Sequence, residues 1–402
     1  MRSSDARVVV LGAGIRGSLF AALVSGLPGL RVTVLEHDRP GAGTTSTNHG
    51  RLHCGTWNFP YADPAETRYL VAAGAMMRGA IGVAEFQQAG YYFLEETAAE
   101  TAFLAFCSEY GIDIREVGRS EPRPELPRGD FCAVYRIPEY SFNPAAVAAA
   151  GVNVAVKSEG SRFRRGTVRR VRAVGPRFEV DLADGGVISA DLVVNTLGRW
   201  APAVDYDMPI PFPAVDHIRW RLLAVDRGPS GAGESVVTVH GRERSLAAVP
   251  HGRWTVFGCD PPVDVLAGEE RFALHSGLVP FRPDHPVDGF LYEAHLPYFA
   301  DCLGTPEALW TFAGVSLEPA AVGTSTAPYP AGELLFHPDC PRHLVSFGGS
   351  ATTSLADMRG AADTVLGELG VADGLPADHV DRVLRAVAEQ SRLGRGMAWE
   401  TS

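Results

Sequence analysis

The hydrophobic pattern at the start of the chain predicts a strand, a helix and a second strand. The β-branched run from Arg7 to Leu11 is typical of a strand buried in a parallel sheet. After a glycine-rich turn, residues Ser18 to Ser25 predict a helix that ends at Gly26, and residues Arg31 to Leu35 predict the next strand. Residues Gly41 to Gly55 show neither the helical nor the strand spacing of apolar residues, which indicates an ordered loop or a functional connection.

Apolar residues return to helical spacing in the next part of the chain. The spacing from Ala65 to about Ala89 and from Glu95 to Tyr110 predicts inserted helices. Asn143-Pro144 before a run of alanines predicts a short capped helix. Strands are expected at Gly151 to Val156 and at Gly166 to Val174.

The second half of the chain reads mostly as strands. Residues Phe178 to Leu182 and Val187 to Val194 are expected to form a hairpin around Asp184-Gly185-Gly186. From about Trp200 to Ala313 the apolar and polar residues alternate, which predicts an antiparallel sheet with strands at Ile218 to Val225, Ser235 to Val239 and Trp254 to Cys259. The last part predicts a buried strand, a turn and a helix, at His343 to Phe347, Gly348-Gly349 and Asp357 to Leu369.

The first turn fits a dinucleotide-binding fingerprint. Gly12-Ala13-Gly14-Ile15-Arg16-Gly17 matches G-x-G-x-x-G between a predicted strand and a predicted helix. Gly12 permits the tight turn, Gly14 lets the backbone approach a pyrophosphate, and Gly17 lets the helix lie close to the sheet. Glu36 ends the next strand, where its carboxylate would bind ribose hydroxyls and repel the 2′-phosphate of NADP. The motif alone does not distinguish FAD from NAD.

Composition and charge narrow the class of protein. A chain of 402 residues is too long for a single ordinary hydrophobic core, which suggests two domains. The net charge of −11 and the scattered basic residues argue against a nucleic-acid partner. The six cysteines form no C-x-x-C pair, so neither a metal site nor a disulfide scaffold is expected. The apolar stretch from Val8 to Val24 is broken by glycines, so we expect no integral membrane segment and a cytoplasmic location.

Three segments resemble the D-amino-acid oxidase superfamily of flavoproteins, in particular the branch of glycerol-3-phosphate dehydrogenase and L-2-hydroxyglutarate dehydrogenase. Gly43-Thr44-Thr45-Ser46-Thr47-Asn48-His49-Gly50-Arg51-Leu52-His53-Cys54-Gly55 is similar to the family's flavin-lining loop. Val193-Val194-Asn195-Thr196-Leu197-Gly198-Arg199-Trp200-Ala201 is similar to its Val-Asn-Ala-Ala-Gly-x-Trp-Ala strand end. Phe347-Gly348-Gly349-Ser350-Ala351-Thr352-Thr353 is similar to its carboxy-terminal turn, whose amides would stabilise negative charge on reduced flavin.

The resemblance implies FAD as the cofactor and extends the set of cofactor-binding residues. Besides the fingerprint residues, including Ile15 and Arg16, and Glu36, the candidates are Thr44, Thr45, Ser46, Asn48, Gly50, Val168, Gly198, Gly348, Gly349, Ser350, Ala351 and Thr352. We therefore predict an α/β fold in which a Rossmann-like FAD-binding domain (1–60, 141–200 and 330–402) is interleaved with a second α+β substrate domain containing an antiparallel sheet (61–140 and 201–329).

The same resemblance suggests an enzyme that oxidises a CH–OH bond of a small polar substrate by hydride transfer to flavin N5. Candidate substrates are a hydroxy acid, a polyol, a sugar or an amine. His49 or His53 would accept the proton; the alternative for each is that it only holds the loop by hydrogen bonds. Arg51 would hold a substrate carboxylate or stabilise anionic flavin, or form a structural ion pair. His53 or Cys54 is also a candidate for a covalent bond to the flavin.

Departures from the family pattern keep other functions open. Thr47, Ser350 and Ser316 replace cationic residues of the glycerol-phosphate branch, which argues against a phosphorylated substrate, and the helix before Gly151 looks shortened. An amine or amino-acid oxidase is one alternative, and a flavin monooxygenase is another, although no aspartate follows Gly349. A non-catalytic flavin-binding protein and an oligomeric assembly also stay open. Further substrate-side candidates are His217, Arg219, Arg221, His251, Tyr292 and Tyr298.

Overall fold

Strands and helices are interspersed along the chain in the computed structural model of this protein. It describes residues 5–60, 63–82, 89–117, 127–213, 216–227, 235–241, 245–251, 253–259, 263–266, 276–304, 306–316, 333–347, 350–371 and 374–393. The helices are α1 Ile15–Val24, α2 Thr44–Thr47, α3 Pro64–Ile81, α4 Thr97–Tyr110, α5 Pro144–Ala155, α6 Ala201–Val204, α7 Pro286–Leu303, α8 Ser354–Leu369 and α9 Ala377–Leu393.

The strands fall into four sheets. They are β1 Ala6–Leu11, β2 Leu30–Glu36, β3 Arg51–Leu52, β4 Gly90–Leu94, β5 Arg115–Glu116, β6 Ala133–Ile137, β7 Tyr140–Ser141, β8 Arg162–Arg165, β9 Val168–Val174, β10 Arg177–Leu182, β11 Val187–Ala190, β12 Leu192–Asn195, β13 Asp216–Asp226, β14 Val237–His240, β15 Ser245–His251, β16 Trp254–Cys259, β17 Val263–Leu266, β18 Ser276–Pro280, β19 Ala308–Ser316, β20 Glu333–His337 and β21 Cys340–Phe347.

The chain divides into two units, and unit 1 comprises Met1–Ser46, Pro144–Ala214 and Tyr329–Met397. Its six-stranded sheet has the order β20-β21-β12-β1-β2-β8, and all neighbours are parallel except β20 and β21. The central strands are buried runs of Val and Leu, as expected of a parallel sheet covered on both faces. Helix α1 packs against α5 and α8, and α5 packs against α9. This confirms the predicted Rossmann-like core.

Two helix boundaries in unit 1 differ from the sequence prediction. Helix α1 begins at Ile15 inside the glycine turn rather than at Ser18. Residues Gly151 to Val156, predicted as a strand, belong to α5, apart from Val156, which follows it. A Cβ atom on Gly151 would lie 2.8 Å from the carbonyl oxygen of Ser18, so this glycine permits close packing of α5 on α1 and does not end the helix. The predicted shortening of this helix is therefore wrong.

The second arm of the predicted hairpin is two strands. Strands β9, β10 and β11 form a small antiparallel sheet, which confirms the pairing of Phe178 to Leu182 with the residues after Gly186. Strand β12 instead lies parallel to β1 in the main sheet. Asp191 separates β11 from β12, and its carboxylate accepts a hydrogen bond from the backbone N–H of Arg7.

Unit 2 comprises Thr47–Asn143, Val215–Pro328 and Ala398–Ser402. Its ten-stranded sheet runs β18-β19-β13-β16-β15-β14-β4-β6-β5, with β17 paired to β13, and its neighbours are antiparallel except β14 and β4. The antiparallel sheet was predicted, but α7 was not. Helix α7 packs against β13 and β16 on one face of the sheet, where Leu223, Phe257 and Leu309 contact Leu291 and Phe299. The other face carries Leu222, Val249 and Trp310.

Candidate functional site

The glycine turn of unit 1 has the geometry of a phosphate-binding loop. Gly12 adopts φ +91°, and its N–H donates to the carbonyl oxygen of Leu35 at 2.8 Å. A Cβ atom on Gly17 would lie 2.0 Å from the carbonyl oxygen of Gly12, and one on Gly14 would lie 3.0 Å from Thr45 Oγ1. The turn therefore requires glycine at Gly12 and Gly17, and it opens the ten-residue helix α1, whose amino terminus attracts anions.

Glu36 and Thr45, both predicted to bind the cofactor, are hydrogen-bonded to this turn. Glu36 ends β2, and its Oε2 accepts a hydrogen bond from the backbone N–H of Ala13 at 2.9 Å. Thr45 Oγ1 accepts one from the N–H of Ile15 at 3.1 Å. The predicted residues from three separate segments thus meet at one end of β1 and β2, which is the carboxyl end where dinucleotides bind in parallel sheets.

Thr196 is hydrogen-bonded to the glycine turn, a role that was not predicted from the sequence. Its Oγ1 lies 2.8 Å from the carbonyl oxygen of Leu11 and 3.1 Å from that of Gly12, to which its hydroxyl donates. Gly198 follows with φ +58°, and no atom lies within 4 Å of the position of its Cβ. The signal for Thr196 was its place two residues before a glycine at the end of a buried strand.

Arg16 joins α1 to the start of α8. Its guanidinium donates to Ser346 Oγ at 3.0 Å and pairs with the carboxylate of Asp357, which also accepts from Thr353 Oγ1 at 2.9 Å. The N–H of Ser350 donates to Thr353 Oγ1 at 3.2 Å, so the turn before α8 is fixed by its own side chains.

The other predicted cofactor residues of unit 1 stay predictions. Ser46 Oγ donates to the carbonyl oxygen of Gly43 at 2.9 Å, and Val168 is half-buried at the start of β9. Thr352 is buried at the turn before α8. Thr44 and Ala351 are half-buried, and Gly348 and Gly349 lie outside the described residues.

In unit 2, Arg51 forms a buried ion pair with Glu139. The Arg51 Nε and NH2 groups donate to Glu139 Oε2 at 2.9 and 2.5 Å, and Arg51 NH2 also donates to Thr238 Oγ1 at 2.8 Å. The guanidinium lies 4.4 Å from the centre of the Trp57 ring. Of the roles considered for Arg51, the structural ion pair is the one that these contacts support.

The second oxygen of Glu139 holds the end of the loop. Oε1 accepts hydrogen bonds from Thr56 Oγ1 at 3.2 Å and from the N–H of Cys54 at 3.5 Å. Burial, followed by the negative charge of Glu139, raises the pKa of the Cys54 thiol to about 12. Cys54 is therefore a neutral thiol at physiological pH, a poor nucleophile for bonding to flavin. Glu139 itself, a lone carboxylate in the apolar segment Ile137 to Phe142, was missed by the sequence argument.

His49 is held by residues of β3 and β15, two strands of different sheets. The N–H of Arg51 donates to His49 Nδ1 at 3.3 Å, and the His251 ring is hydrogen-bonded to the His49 main chain. His251 packs edge to face on Trp310 at 4.4 Å between ring centres, and Trp310 Nε1 donates to the carbonyl oxygen of Thr47. Desolvation, followed by the charges of Arg51 and His251, lowers the pKa of His49 to about 3, so its ring is neutral at physiological pH.

His53 is also buried beside Glu139. Its Nδ1 lies 3.9 Å from Glu139 Oε1, and its carbonyl oxygen accepts a hydrogen bond from Arg78 at 3.3 Å. Burial, then the charges of Arg51 and His49, lower the pKa of His53 well below its usual value. The structure thus brings all three predicted catalytic residues together with Glu139, and its loop neighbours Asn48 and Gly50 are joined by a hydrogen bond of 2.8 Å.

The candidates on β13 and α7 face a different environment. Arg221 donates to Asp288 Oδ1 at 2.7 Å in a buried ion pair with α7. It lies two residues from Leu223, on the α7 face of the sheet and opposite to Trp310. His217 and Arg219 lie four and two residues before Arg221 on β13, so their side chains are on the same face of the strand as that of Arg221. Tyr292 and Tyr298 pack on the same α7 cluster. In this group, His251 is hydrogen-bonded to the main chain of His49.

The parallel sheet, the glycine turn and Glu36 define a dinucleotide-binding α/β protein. Its sequence matches the family described as DAO, FAD dependent oxidoreductase, over residues 7–348. The chain belongs to this family, and it is an enzyme whose cofactor is FAD. The glycine turn at the amino terminus of α1 attracts anions, and the Glu36 carboxylate can accept hydrogen bonds from a ribose, so these residues fit the pyrophosphate and adenosine parts of FAD.

Solved structures share the fold at low sequence identity. Glycine oxidase from Geobacillus kaustophilus is 16% identical, with a TM-score of 0.65 over 92% of this chain and 99% of that chain. Iminodiacetate oxidase from Chelativorans sp. BNC1 is 19% identical, with a TM-score of 0.65 over 93% and 98%. L-α-Glycerophosphate oxidase from Mycoplasma pneumoniae, solved with FAD bound, is 16% identical, with a TM-score of 0.64 over 90% and 94%. A comparison with curated protein sequences gives no match.

Membrane-spanning helices and metal sites were also considered among the described residues. No helix among them has the length and apolar character needed to cross a membrane. Within the same residues, no group of three or more His, Cys, Asp and Glu side chains is arranged to hold a metal ion.

Proposed function

We propose that this protein oxidises a CH–OH bond in a small polar substrate such as a hydroxy acid, a polyol or a sugar. Bound FAD supplies the hydride acceptor. The glycine turn from Gly12 to Gly17, Glu36 and Thr45 would hold the adenosine and pyrophosphate groups, and the segment from Asn48 to His53 would supply the residues that bind the substrate oxygen and take its proton.

The two loop histidines support this proposal because they offer opposite hydrogen-bonding groups. His49 Nδ1 accepts the N–H of Arg51, so the neutral ring carries its proton on Nε2 and is a donor there. His53 Nδ1 lies 3.9 Å from Glu139 Oε1, beyond hydrogen-bond distance, and the negative charge of that carboxylate favours the tautomer with its proton on Nδ1, which leaves Nε2 as an acceptor. His53 is therefore assigned as the proton acceptor, and His49 as the donor to the substrate oxygen.

This pairing of a donor with an acceptor is the observation that favours an alcohol. A hydroxyl group both donates and accepts hydrogen bonds, whereas the ammonium form, which predominates for most amines at physiological pH, only donates. The neutral amine can also do both, so an amine matches this pairing only after it has lost a proton. Oxidation of a carbinol also releases the hydroxyl proton, which requires a base, while a neutral amine can lose hydride without one. Amines therefore belong in the test as the competing substrate class.

The buried pair of Arg51 and Glu139 supports the loop beneath these histidines. Glu139 binds the side chain of Arg51, the hydroxyl of Thr56 and the N–H of Cys54, so it links both ends of the segment that contains His53. A buried carboxylate that makes hydrogen bonds through both oxygens holds its neighbours in fixed orientations. We assign Arg51 and Glu139 as positioning residues.

The experiment is anaerobic flavin reduction by a panel of hydroxy acids, polyols, sugars and amines. The substrate that reduces the wild type fastest is then tested with His53→Gln and His49→Gln. We expect His53→Gln to slow reduction by about a hundredfold, the usual contribution of a general base, while FAD stays bound. His49→Gln keeps a side-chain N–H donor and should be affected less.

His240→Gln is the matched control. His240 lies on β14 of the same unit, its pKa is also lowered by burial, and its ring packs on Phe59 away from the His49 loop. It should reduce at the rate of the wild type. Unchanged reduction in both loop variants, or reduction by amines alone, would overturn the proposal.

A further inference from the structure

Three buried polar side chains lie together in unit 1, away from the residues assigned to FAD. They are Asn195 at the end of β12, Asp205 directly after α6, and His343 in β21, and each is at most 1% exposed. Asn195 Nδ2 donates to Asp205 Oδ2 at 2.7 Å. His343 Nε2 lies 3.3 Å from the other oxygen of Asp205. A carboxylate in such a core costs several kcal/mol of desolvation, so its position calls for an explanation.

The cluster is connected to the glycine turn through Asn195. The side-chain oxygen of Asn195 accepts the N–H of Leu197 at 3.0 Å, which fixes the bend that follows β12. Within that bend, Thr196 Oγ1 donates to the carbonyl oxygens of Leu11 and Gly12. The same oxygen would lie 2.5 Å from a Cβ atom on Gly17, so Thr196 fills the space that this glycine leaves.

Asp205 determines which way the amide of Asn195 points. A carboxylate only accepts hydrogen bonds, so it must face the NH2 group of Asn195, and the amide oxygen is then directed at the N–H of Leu197. An amide or an apolar group at position 205 would remove this constraint, because the Asn195 side chain could rotate and release Leu197. His343 Nε2 lies within ion-pair distance of the second oxygen of Asp205, at 3.3 Å and without hydrogen-bond geometry, and the centre of its ring is 5.7 Å from that of Phe178.

We propose that His343 and Asp205 are positioning residues for FAD, acting through Asn195 and Thr196 on the glycine turn. The pair keeps the backbone of Leu11 and Gly12 in the position needed to bind the pyrophosphate. It thereby determines the affinity of the protein for FAD. This inference rests on the FAD dependence of the family and not on the proposed substrate, so failure of either leaves the other standing.

The test measures FAD dissociation from the full-length holoenzyme by the fluorescence of the released flavin on dilution. Asp205→Asn and Thr196→Val should each raise the Kd for FAD by about tenfold or more, the scale of one lost hydrogen bond to a charged or closely fitted group. Thr196→Ser keeps the hydroxyl and should bind like the wild type. His343→Gln keeps an N–H group that can face Asp205 and should bind FAD more tightly than His343→Leu.

Asp191→Asn is the matched control for Asp205→Asn. Asp191 bonds to the backbone of Arg7, at the opposite end of the same two strands, and its replacement should leave the Kd within about twofold of the wild type. Thermal unfolding of each variant separates positioning from simple stability. A purely structural role would lower the unfolding temperature of Asp205→Asn and leave the Kd unchanged. That result, or a Kd within twofold of the wild type for Thr196→Val, would overturn the proposal.

Discussion

Glu139 Oε2 accepts two hydrogen bonds from the guanidinium of Arg51, at 2.9 and 2.5 Å, in a site where both side chains are almost fully buried. The carboxylate belongs to the short connection between β6 and β7, and the guanidinium to β3, which pairs with β7. One ion pair therefore fixes the loop that carries His49 and His53 to the strands beneath it.

Glu139→Gln should destabilise the protein strongly. The variant leaves the Arg51 charge buried without a compensating carboxylate, and breaking such a pair costs about 3 kcal/mol or more of the free energy of unfolding. Chemical denaturation measures this change. The pair of Asp226 with Arg253 is the control, because its side chains are 36% and 56% exposed and are screened by water. A loss for Glu139→Gln no larger than for Asp226→Asn would contradict the account of Arg51 as buried and structural.

Gly17→Ala should abolish stable FAD binding. Its new Cβ atom would lie 2.0 Å from the carbonyl oxygen of Gly12, so α1 or the turn must move away from the site of the pyrophosphate. We expect purified protein with little yellow colour, which absorption at the flavin band measures. Gly360→Ala in α8 is the matched control, since nothing lies within 4 Å of its Cβ position and alanine favours a helix by about 1 kcal/mol. Full flavin content in Gly17→Ala would refute the assigned turn.

The part of the site that could be predicted from sequence is the part built from neighbours along the chain. The glycine turn, Glu36 and the His49 loop are local patterns whose spacing carries their geometry. Glu139 could not be found in this way, because its partner Arg51 is 88 residues distant and neither residue belongs to a motif that names the other.

The fold prediction failed where tertiary contacts overrode a local signal. A strand was predicted to begin at Gly151, but the absence of a Cβ atom on this residue lets α5 pack closely on α1 at Ser18. Helix α7 was hidden by Pro286 at its start and Pro297 inside it, where Phe299 departs from helical geometry. In both cases the residue type that usually breaks a helix has a position in which the helix tolerates it.

Stability should fall as the pH is lowered below about 6.5, in part because of His251. Burial lowers the pKa of His251 to about 4, so between these values the unfolded chain binds a proton that the folded protein does not. The free energy of unfolding then decreases with decreasing pH, by about 3 kcal/mol in total for this group. His251→Gln cannot bind that proton, and denaturation between about pH 7 and 4 should show a shallower loss. An identical pH dependence in the variant would show that His251 is not buried as a neutral ring.

FAD should be released by acid. The pKa of the Cys54 thiol is raised to about 12, so the only cysteine between Gly43 and Gly55 is not a thiolate at physiological pH. Precipitation of the purified protein with acid should give a colourless pellet and a yellow supernatant. A yellow pellet would reveal a covalent bond and would direct attention to His53 as the attachment site.

The most direct test of the proposed reaction is the rate of anaerobic flavin reduction by a hydroxyl substrate with hydrogen or deuterium on the carbinol carbon. We predict that at least one hydroxy acid, polyol or sugar bleaches the flavin band, and that deuterium slows the bleaching. The rate should also show no fall near pH 6.5, where an ordinary histidine would gain a proton, because the pKa of His49 is about 3 and that of His53 is lowered well below its usual value. Bleaching by amines alone, with a rate that rises with pH as the ammonium group loses its proton, would contradict the account.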